Sequence, residues 1–243
     1  MATVDLRVSS PDRGSLDGRS AFRDRLDPVD RLELDSLGTT RILRSGQVLF
    51  LQGERGGRVA IVRSGLVKVS AADEQGRVSL LGFRRPGELI GDIEALDDLT
   101  RDATAVVVEP SSVQVVPATE FLGFLRSHPL AAVAFARVLA QQVRSGVDHR
   151  LRSAQSVAER LAVCLLRLTE QHGQRRIEDG ALVIGVPLSQ DDLASLVDAS
   201  RDSIAKTLTT WRRLKIVETG RRHLAVVDMD RLAGYARSFD FTE

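Results

Sequence analysis

The chain has 243 residues, of which 43% are apolar and 28% charged, a balance typical of globular proteins. Lys and Arg number 34 against 33 Asp and Glu, so only a local concentration of bases could indicate a nucleic-acid partner. The single cysteine, Cys164, excludes an internal disulfide, a four-cysteine iron–sulfur site and a cysteine-rich zinc site. Residues 1–30 lack the apolar segment of a signal peptide, and no run of about 18 apolar residues predicts a membrane span. We therefore expect a cytoplasmic protein with no membrane partner.

The first half of the chain predicts a short helix followed by a β domain. Residues 1–27 have little apolar periodicity and are interpreted as a mobile tail. The segment 27–37 predicts a helix that Asp27 caps, with Pro28 at its first position. Between residues 40 and 116, short runs rich in Val, Leu and Ile alternate with glycines, which is typical of a β barrel or sandwich. Residues 72–77 predict a polar hairpin tip within it.

A long helix is predicted after the β domain. A helical stretch begins at Thr119, is interrupted at Pro129, and continues over residues 130–154. Along it, apolar positions follow the three–four spacing of a seam that packs against a partner helix: Val133, Ala136, Ala140, Val143 and Val147. The alternative is a helix that packs only on the β domain. The length of the helix and the small residues in the seam favour a dimer interface.

The last third of the chain predicts a helix-turn-helix. An amphipathic helix over residues 155–171 and a strand over 181–186 precede two short helices. Ser189 followed by Asp192 is a capping pattern, and Asp198 lies where the turn requires a positive φ. Ser200 caps the second helix, whose predicted inner face consists of Ile204, Leu208 and Trp211.

The second of these helices carries the candidate DNA contacts. Residues 201–222 contain seven bases and two acids, a local net charge of +5, whereas residues 155–243 contain 13 of each. The basic residues are therefore concentrated in one segment, as a DNA-binding surface requires. The alternative is a solvated helix face. The predicted contacts lie on the second helix, at the two helix starts and at a basic hairpin tip: Ser189, Gln190, Ser200, Arg201, Asp202, Ser203, Lys206, Arg221 and Arg222.

Taken together, these segments resemble the CRP/FNR family of bacterial transcription regulators. The likeness rests on residues 46–54 (GQVLFLQGE), 65–69 (GLVKV), 76–77 (GR) and 86–91 (PGELIG), followed by the long helix and the helix-turn-helix. It implies an α+β fold with an N-terminal jelly-roll sensor domain over 28–128, a dimerisation helix over 129–154 and a winged helix-turn-helix over 155–243. It also implies a homodimer that binds a two-fold symmetric DNA operator, with RNA polymerase as a further candidate partner.

The resemblance implies an effector site that this chain alters. The positions matching the cyclic-nucleotide site of the family are Gly91, Asp92, Ile93, Arg101, Asp102 and, on the long helix, Ser145. Asp92 is one methylene shorter than the family's glutamate. Asp102 replaces a hydroxyl that would bond the phosphate, and its charge could instead pair with Arg101. We therefore expect weak or absent cAMP binding, restored by Asp102→Ser, and assign no certain cofactor.

No other chemistry is indicated by the remaining polar residues. Cys164 lies on the apolar face of the 155–171 helix, where a packed core residue is expected, and the four histidines lack metal-ligand spacing. No catalytic constellation is present, so no enzyme is predicted. Two functions remain: a dimeric DNA-binding regulator, or a ligand-binding or scaffolding protein whose winged helix contacts protein. The local base excess favours the regulator.

Overall fold

The computed structural model describes residues 21–97, 99–151, 155–220 and 223–236, without the side chains of 148–151. Its helices are α1 Pro28–Ser36, α2 Glu94–Asp97, α3 Ala118–Ser127, α4 Pro129–Leu151, α5 Val157–His172, α6 Gln190–Leu196, α7 Arg201–Arg213 and α8 Met229–Ala236. Its strands are β1 Thr39–Leu43, β2 Val48–Phe50, β3 Arg58–Ala72, β4 Val78–Arg84, β5 Leu89–Ile90, β6 Thr104–Pro117, β7 Gly173–Arg175, β8 Leu182–Ile184, β9 Val217–Gly220 and β10 His223–Val226. Among the described residues, no helix has the length and apolar character needed to cross a membrane.

The N-terminal domain is an antiparallel sheet in the order β1-β6-β3-β4, with β2 paired to β6 and β5 paired to β3. Strands β3 and β6 are long and pair along most of their length, with register shifts where they bend. At one bend, Gly65 has φ +85°, and a Cβ there would lie 2.3 Å from the Ser111 Oγ, so only glycine fits. The predicted β domain and the hairpin tip between β3 and β4 are confirmed.

A cluster of aromatic rings packs the N-terminal segment and α4 against this sheet. Phe22 is 1% exposed and meets the rings of Phe121 and Phe135 edge to face, both at 5.9 Å between centroids. The predicted tail extends through residue 27, but residues 21–27 pack on the domain because Phe22 fills its core; residues 1–20 lie outside the described part. Asp27 caps α1 as predicted, accepting hydrogen bonds from the backbone N–H groups of Val29 and Asp30.

Helix α4 has one face on the β domain and another in solvent. Ala131, Ala134 and Phe135 are buried against the domain. The side chains of Val143 and Val147 on the opposite side are 67% and 49% exposed. The predicted end of this helix at residues 152–154 lies outside the described residues.

The C-terminal domain combines α5–α8 with a four-stranded antiparallel sheet in the order β7-β8-β10-β9. Leu161, Leu165 and Trp211 are fully buried in its core, and half-buried Cys164 packs against them, as predicted. Burial raises the pKa of the Cys164 thiol to about 12. The polar segment 173–180, in which the sequence indicates no strand, begins with β7, which pairs antiparallel with β8.

The two domains touch through β3 and β4. Lys68 on β3 forms an ion pair with Asp192 on α6, and the Leu80 backbone N–H on β4 donates to the Ser195 Oγ at 2.6 Å. Leu66 belongs to the same apolar core as the helix-turn-helix. The C-terminal domain therefore packs on the N-terminal domain through both polar and apolar contacts.

Candidate nucleic-acid interface and sensor region

The helix-turn-helix is formed by local capping bonds. The Ser189 Oγ accepts from the Asp192 backbone N–H at 3.0 Å, and Asp192 Oδ2 accepts from the Ser189 backbone N–H at 3.0 Å. After α6, Asp198 has φ 50°, the left-handed conformation that the turn requires. The Ser200 Oγ then accepts from the Ser203 backbone N–H at 3.2 Å and begins α7. Each of these predicted features is confirmed.

Helix α7 presents its N-terminal half to solvent. Its inner face is held by Ile204, Leu208 and Trp211, which are 0%, 3% and 1% exposed. On the outer face, the side chains of Arg201 and Lys206 are 68% and 80% exposed. The packing of the inner face therefore orients both basic side chains outward, where they can reach DNA.

Among the described residues, Arg201 and Lys206 of α7 have weak ion-pair partners. Lys206 Nζ lies 3.4 Å from Asp202 Oδ2, and Arg201 Nε lies 3.9 Å from Asp191 Oδ1, with every side chain more than 60% exposed. Exposed ion pairs of this kind contribute about 0–1 kcal/mol, so DNA can displace them. Ser189, Gln190 and Ser200 are exposed beside them at the starts of α6 and α7.

The predicted wing is the hairpin of β9 and β10. Its strands pair from Gly220 with His223 to Val217 with Val226. The tip, with the predicted phosphate contacts Arg221 and Arg222, lies outside the described residues. On β9, the carboxylate of Glu218 is paired with Arg176 Nη1 at 2.9 Å. Arg176, on the neighbouring β7–β8 turn, therefore partly neutralises the negative charge of Glu218.

In the sensor region, the Arg101 side chain is buried and already has hydrogen-bond and ion-pair partners. It is 3% exposed, and its Nη1 donates to the Gly91 carbonyl at 3.2 Å and lies 3.5 Å from Glu94 Oε2. Its Nη2 donates to the Arg58 carbonyl, and its guanidinium carbon lies 3.9 Å from the centroid of the Phe50 ring. Burial lowers the pKa of Arg101, and the charge of Glu94 opposes that shift.

The partner of Arg101 is Glu94, not Asp102. The Asp102 side chain is exposed, and its backbone N–H donates to Glu94 Oε1 at 3.2 Å. The expected ion pair between Asp102 and Arg101 is therefore wrong, because Glu94 in α2 reaches the guanidinium from inside the domain. Sequence reasoning missed Glu94, because α2 ends at Asp97 and no helical spacing joins Glu94 to Arg101.

The other predicted effector residues differ in their surroundings. Asp92 is 5% exposed, accepts from Gln142 Nε2 at 3.4 Å, and has its pKa raised by burial. Gly91 has φ +74°, and a Cβ there would lie 1.8 Å from Arg101 Nη1, so glycine is required. Ser145 lines a cavity between the domains together with Gln142, the residue that donates to Asp92, whereas Ile93 is 49% exposed.

Both domains match known families. Residues 40–128 match the cyclic nucleotide-binding domain, and residues 159–235 match the Crp-like helix-turn-helix domain. The chain is 28% identical over 194 residues to the CRP-like cAMP-activated global transcriptional regulator of Mycobacterium tuberculosis, covering 79% of this chain and 85% of that protein. It is also 28% identical over 181 residues to the cyclic AMP receptor protein of Thermus thermophilus, covering 74% and 80%.

Solved structures show the same architecture. A CRP-family transcriptional regulator from Thermus thermophilus has a TM-score of 0.67 and 25% identity, over 82% of this chain and 97% of that one. A second regulator from that organism, of the CRP/FNR family, has a TM-score of 0.65 and 24% identity, over 82% and 99%. The predicted α+β fold is confirmed, and these relatives are transcription regulators rather than enzymes. The chain therefore belongs to the CRP/FNR family of DNA-binding transcription regulators.

Proposed function

We propose that the protein acts as a homodimer that places one α7 from each copy in the major groove of a two-fold symmetric operator. The observation that carries this proposal is the outward, basic N-terminal half of α7, with Arg201 and Lys206 exposed above a fully buried inner face. A recognition helix presents that end to base edges. RNA polymerase is the partner expected of such a regulator at its operator.

The dimer part of the proposal is supported by the exposed seam of α4. Val133, Val143 and Val147 are each about half exposed or more, and Ala136 is exposed beside them. Ala140 in the same seam is half-buried. Apolar side chains at three–four spacing bury this surface when a second copy of the helix packs against them. The opposite face of α4 is already occupied by the β domain.

The proposed contacts divide by chemistry. Arg201 can bond guanine in two places, and Asp202 can accept from the exocyclic amine of cytosine. Lys206 reads a base or binds phosphate. Two further sets of residues carry hydrogen-bond donors that suit phosphate. One set lies at the starts of the two helices, with hydroxyl, amide and backbone donors, and the other consists of the basic side chains of the hairpin tip. The residues are Ser189, Gln190, Ser200, Ser203, Arg221 and Arg222.

Arg201→Ala should relax base preference at one operator position and cost about 1–3 kcal/mol of binding free energy to the preferred sequence, because a bidentate contact with guanine is lost. Titration of fluorescent duplexes that differ at single positions measures both effects. Arg175→Ala is the matched control, because it removes one exposed base from β7 in the same domain. Unchanged base preference in Arg201→Ala would mean that another part of α7 faces the bases.

Arg221→Ala should weaken binding to every sequence by a similar factor, because a phosphate contact carries no base information. It should also reduce the slope of log affinity against log salt by about 1, since one fewer counterion is released. A salt series with the operator and an unrelated duplex measures this. A loss confined to the operator would contradict the phosphate role.

Because residues 40–128 match the cyclic nucleotide-binding domain, our proposal includes the binding of a small effector. We do not expect that effector to be cAMP. The mycobacterial relative is described as cAMP-activated. In this chain the arginine expected to meet the cyclic phosphate is buried against Glu94 and the Phe50 ring. A phosphate would have to displace an existing carboxylate, at a cost in desolvation and charge.

Calorimetry with cAMP should therefore detect no binding up to millimolar concentration. The sequence alone predicts that Asp102→Ser restores binding. Because Asp102 is exposed and Glu94 holds Arg101, the structure leads us to expect that this substitution alone leaves cAMP binding undetectable. Tight cAMP binding by the natural protein would overturn this part of the proposal.

A further inference from the structure

Glu218 is an acidic residue inside the basic segment of the C-terminal domain. Residues 201–222 contain seven basic and two acidic residues, and the other acid, Asp202, has a proposed role in reading a base. Glu218 lies on β9, the first strand of the wing, and its side chain is half exposed. It is not among the proposed DNA contacts, and a carboxylate beside a DNA backbone repels phosphate. Its charge therefore opposes binding unless another group offsets it.

The position of Glu218 brings its charge close to the tip of the wing. It lies two residues before Gly220, where β9 ends, and three residues before Arg221 in the sequence. A strand rises about 3.3 Å per residue, so Glu218 is about 7 Å from Gly220 along β9. Charges act on each other over about 10 Å at 0.1 M salt. A carboxylate without a counter-charge at this point would therefore weaken a phosphate contact at the end of the strand.

Arg176 supplies the opposite charge from a distant part of the sequence. Its Nη1 lies 2.9 Å from Glu218 Oε2, and its side chain is three-quarters buried. Arg176 directly follows β7, which is one edge of the C-terminal sheet, whereas Glu218 belongs to β9, which is the other edge. The ion pair therefore joins the two edges of the sheet.

The turn between β7 and β8 holds the Arg176 side chain in place. Its Nε donates to Asp179 Oδ1 at 2.8 Å, and its Nη2 donates to Asp179 Oδ2. Backbone bonds close the same turn, because Arg176 N–H donates to the Ala181 carbonyl at 2.7 Å and Gly180 N–H donates to the Arg176 carbonyl at 2.9 Å. The guanidinium is therefore fixed at two points by Asp179 while a third nitrogen reaches Glu218.

This network differs from the exposed ion pairs of α7. An exposed pair contributes little, because two mobile side chains must be ordered to form it. A two-point bond between arginine and a carboxylate is stronger and orders the guanidinium in advance. The hydrogen bond from Arg176 lowers the pKa of Asp179 to about 2, so Asp179 stays ionised near neutral pH and keeps holding Arg176. Arg176 is thus prepared to neutralise Glu218.

We propose that Arg176 is a positioning residue for DNA binding: held by Asp179, it neutralises Glu218 and so keeps β9 from repelling the phosphate backbone. In this role Arg176 acts through Glu218 and does not itself contact DNA. The inference rests on the proposed use of the wing against phosphate, and it deepens that function by naming the residue that makes the acidic strand compatible with DNA.

Three variants form a cycle that tests this role. Arg176→Met keeps an apolar stem without the guanidinium, and should lower affinity for every duplex about fivefold at 0.1 M salt. Glu218→Gln alone should change affinity by less than about twofold, because its charge is already paired. The double variant should bind within about twofold of the natural protein, because the carboxylate left without a counter-charge is gone. A double variant as weak as Arg176→Met would contradict the proposal.

The affinities are measured by titrating the full-length proteins with two fluorescent duplexes, one selected by the natural protein from random sequences and one unrelated. Salt separates a charge effect from a loss of structure. At 0.3 M salt, where the Debye length is about 6 Å, the fivefold loss in Arg176→Met should shrink to about twofold. A loss caused by misfolding would keep the same factor at both salt concentrations, and that result would also contradict the proposal.

Arg175→Met is the matched control, because it removes an exposed arginine one residue away, on β7. It should bind both duplexes within about twofold of the natural protein. A loss equal to that of Arg176→Met would mean that the net charge of the domain, and not the pair with Glu218, governs affinity.

The outcome is separable from that of the proposed function. A natural protein that binds no duplex would overturn the proposed function and this inference with it. Duplex binding by the natural protein with unchanged affinity in Arg176→Met would overturn this inference alone.

Discussion

Replacing Val143 and Val147 together with aspartate should convert the protein from a dimer to a monomer at micromolar concentration. Both valines are exposed on the seam of α4, at 67% and 49%, and in a dimer each would be buried against the partner helix. Two aspartates from each copy would then bring like charges into an apolar interface, which is strongly unfavourable. Sedimentation velocity measures the result directly.

The same variant should lose operator affinity by about a hundredfold, because a monomer engages one half-site and forgoes the gain from linking two binding modules. Val29→Asp with Leu32→Asp is the matched control, since these residues are 70% and 72% exposed on α1. The control should remain dimeric. A dimeric Val143→Asp, Val147→Asp protein would show that α4 is not the interface.

Glu94→Gln should lower the free energy of unfolding by about 3 kcal/mol. Arg101 is 3% exposed, and Glu94 is the carboxylate that lies within 3.5 Å of it. Removing the negative charge leaves a buried guanidinium without its nearest counter-charge, which is among the more costly changes a folded domain can undergo. The carbonyl groups of Gly91 and Arg58 still accept hydrogen bonds, so the variant is expected to fold.

Urea denaturation of the two proteins measures this loss. Asp102→Asn is the matched control: it removes a negative charge from an exposed side chain next to Arg101 in sequence, and should change stability by less than about 0.5 kcal/mol. If the two substitutions cost the same, Glu94 does not neutralise Arg101. A larger loss of unfolding free energy in Asp102→Asn would instead indicate that Asp102 pairs with Arg101, as the sequence suggested.

Much of the helix-turn-helix could be predicted from the sequence because its signals are local. A cap needs one side chain and a backbone N–H two or three residues away, so Ser189 with Asp192 and Ser200 with Ser203 follow from spacing alone. Asp198 follows from the small set of residues that tolerate a positive φ. The buried face of α7 follows from helical periodicity.

The sensor region could not be predicted to the same depth, because its contacts join residues distant in sequence. Whether Arg101 turns toward Glu94, Asp102 or solvent depends on how α2, β3 and the Phe50 ring are packed together. The burial of Phe22 similarly depends on α3 and α4, which follow it by about a hundred residues. β7 was missed because its polar residues pair only through the backbone.

Selection of bound DNA from random duplexes by the natural protein tests the central claim most directly. The account predicts enrichment of an inverted repeat, with two half-sites whose centres lie about 10 base pairs or a multiple of that apart, as two copies of α7 on one face of the duplex require. Enrichment of a single unrepeated half-site, or of no sequence at all, would contradict it.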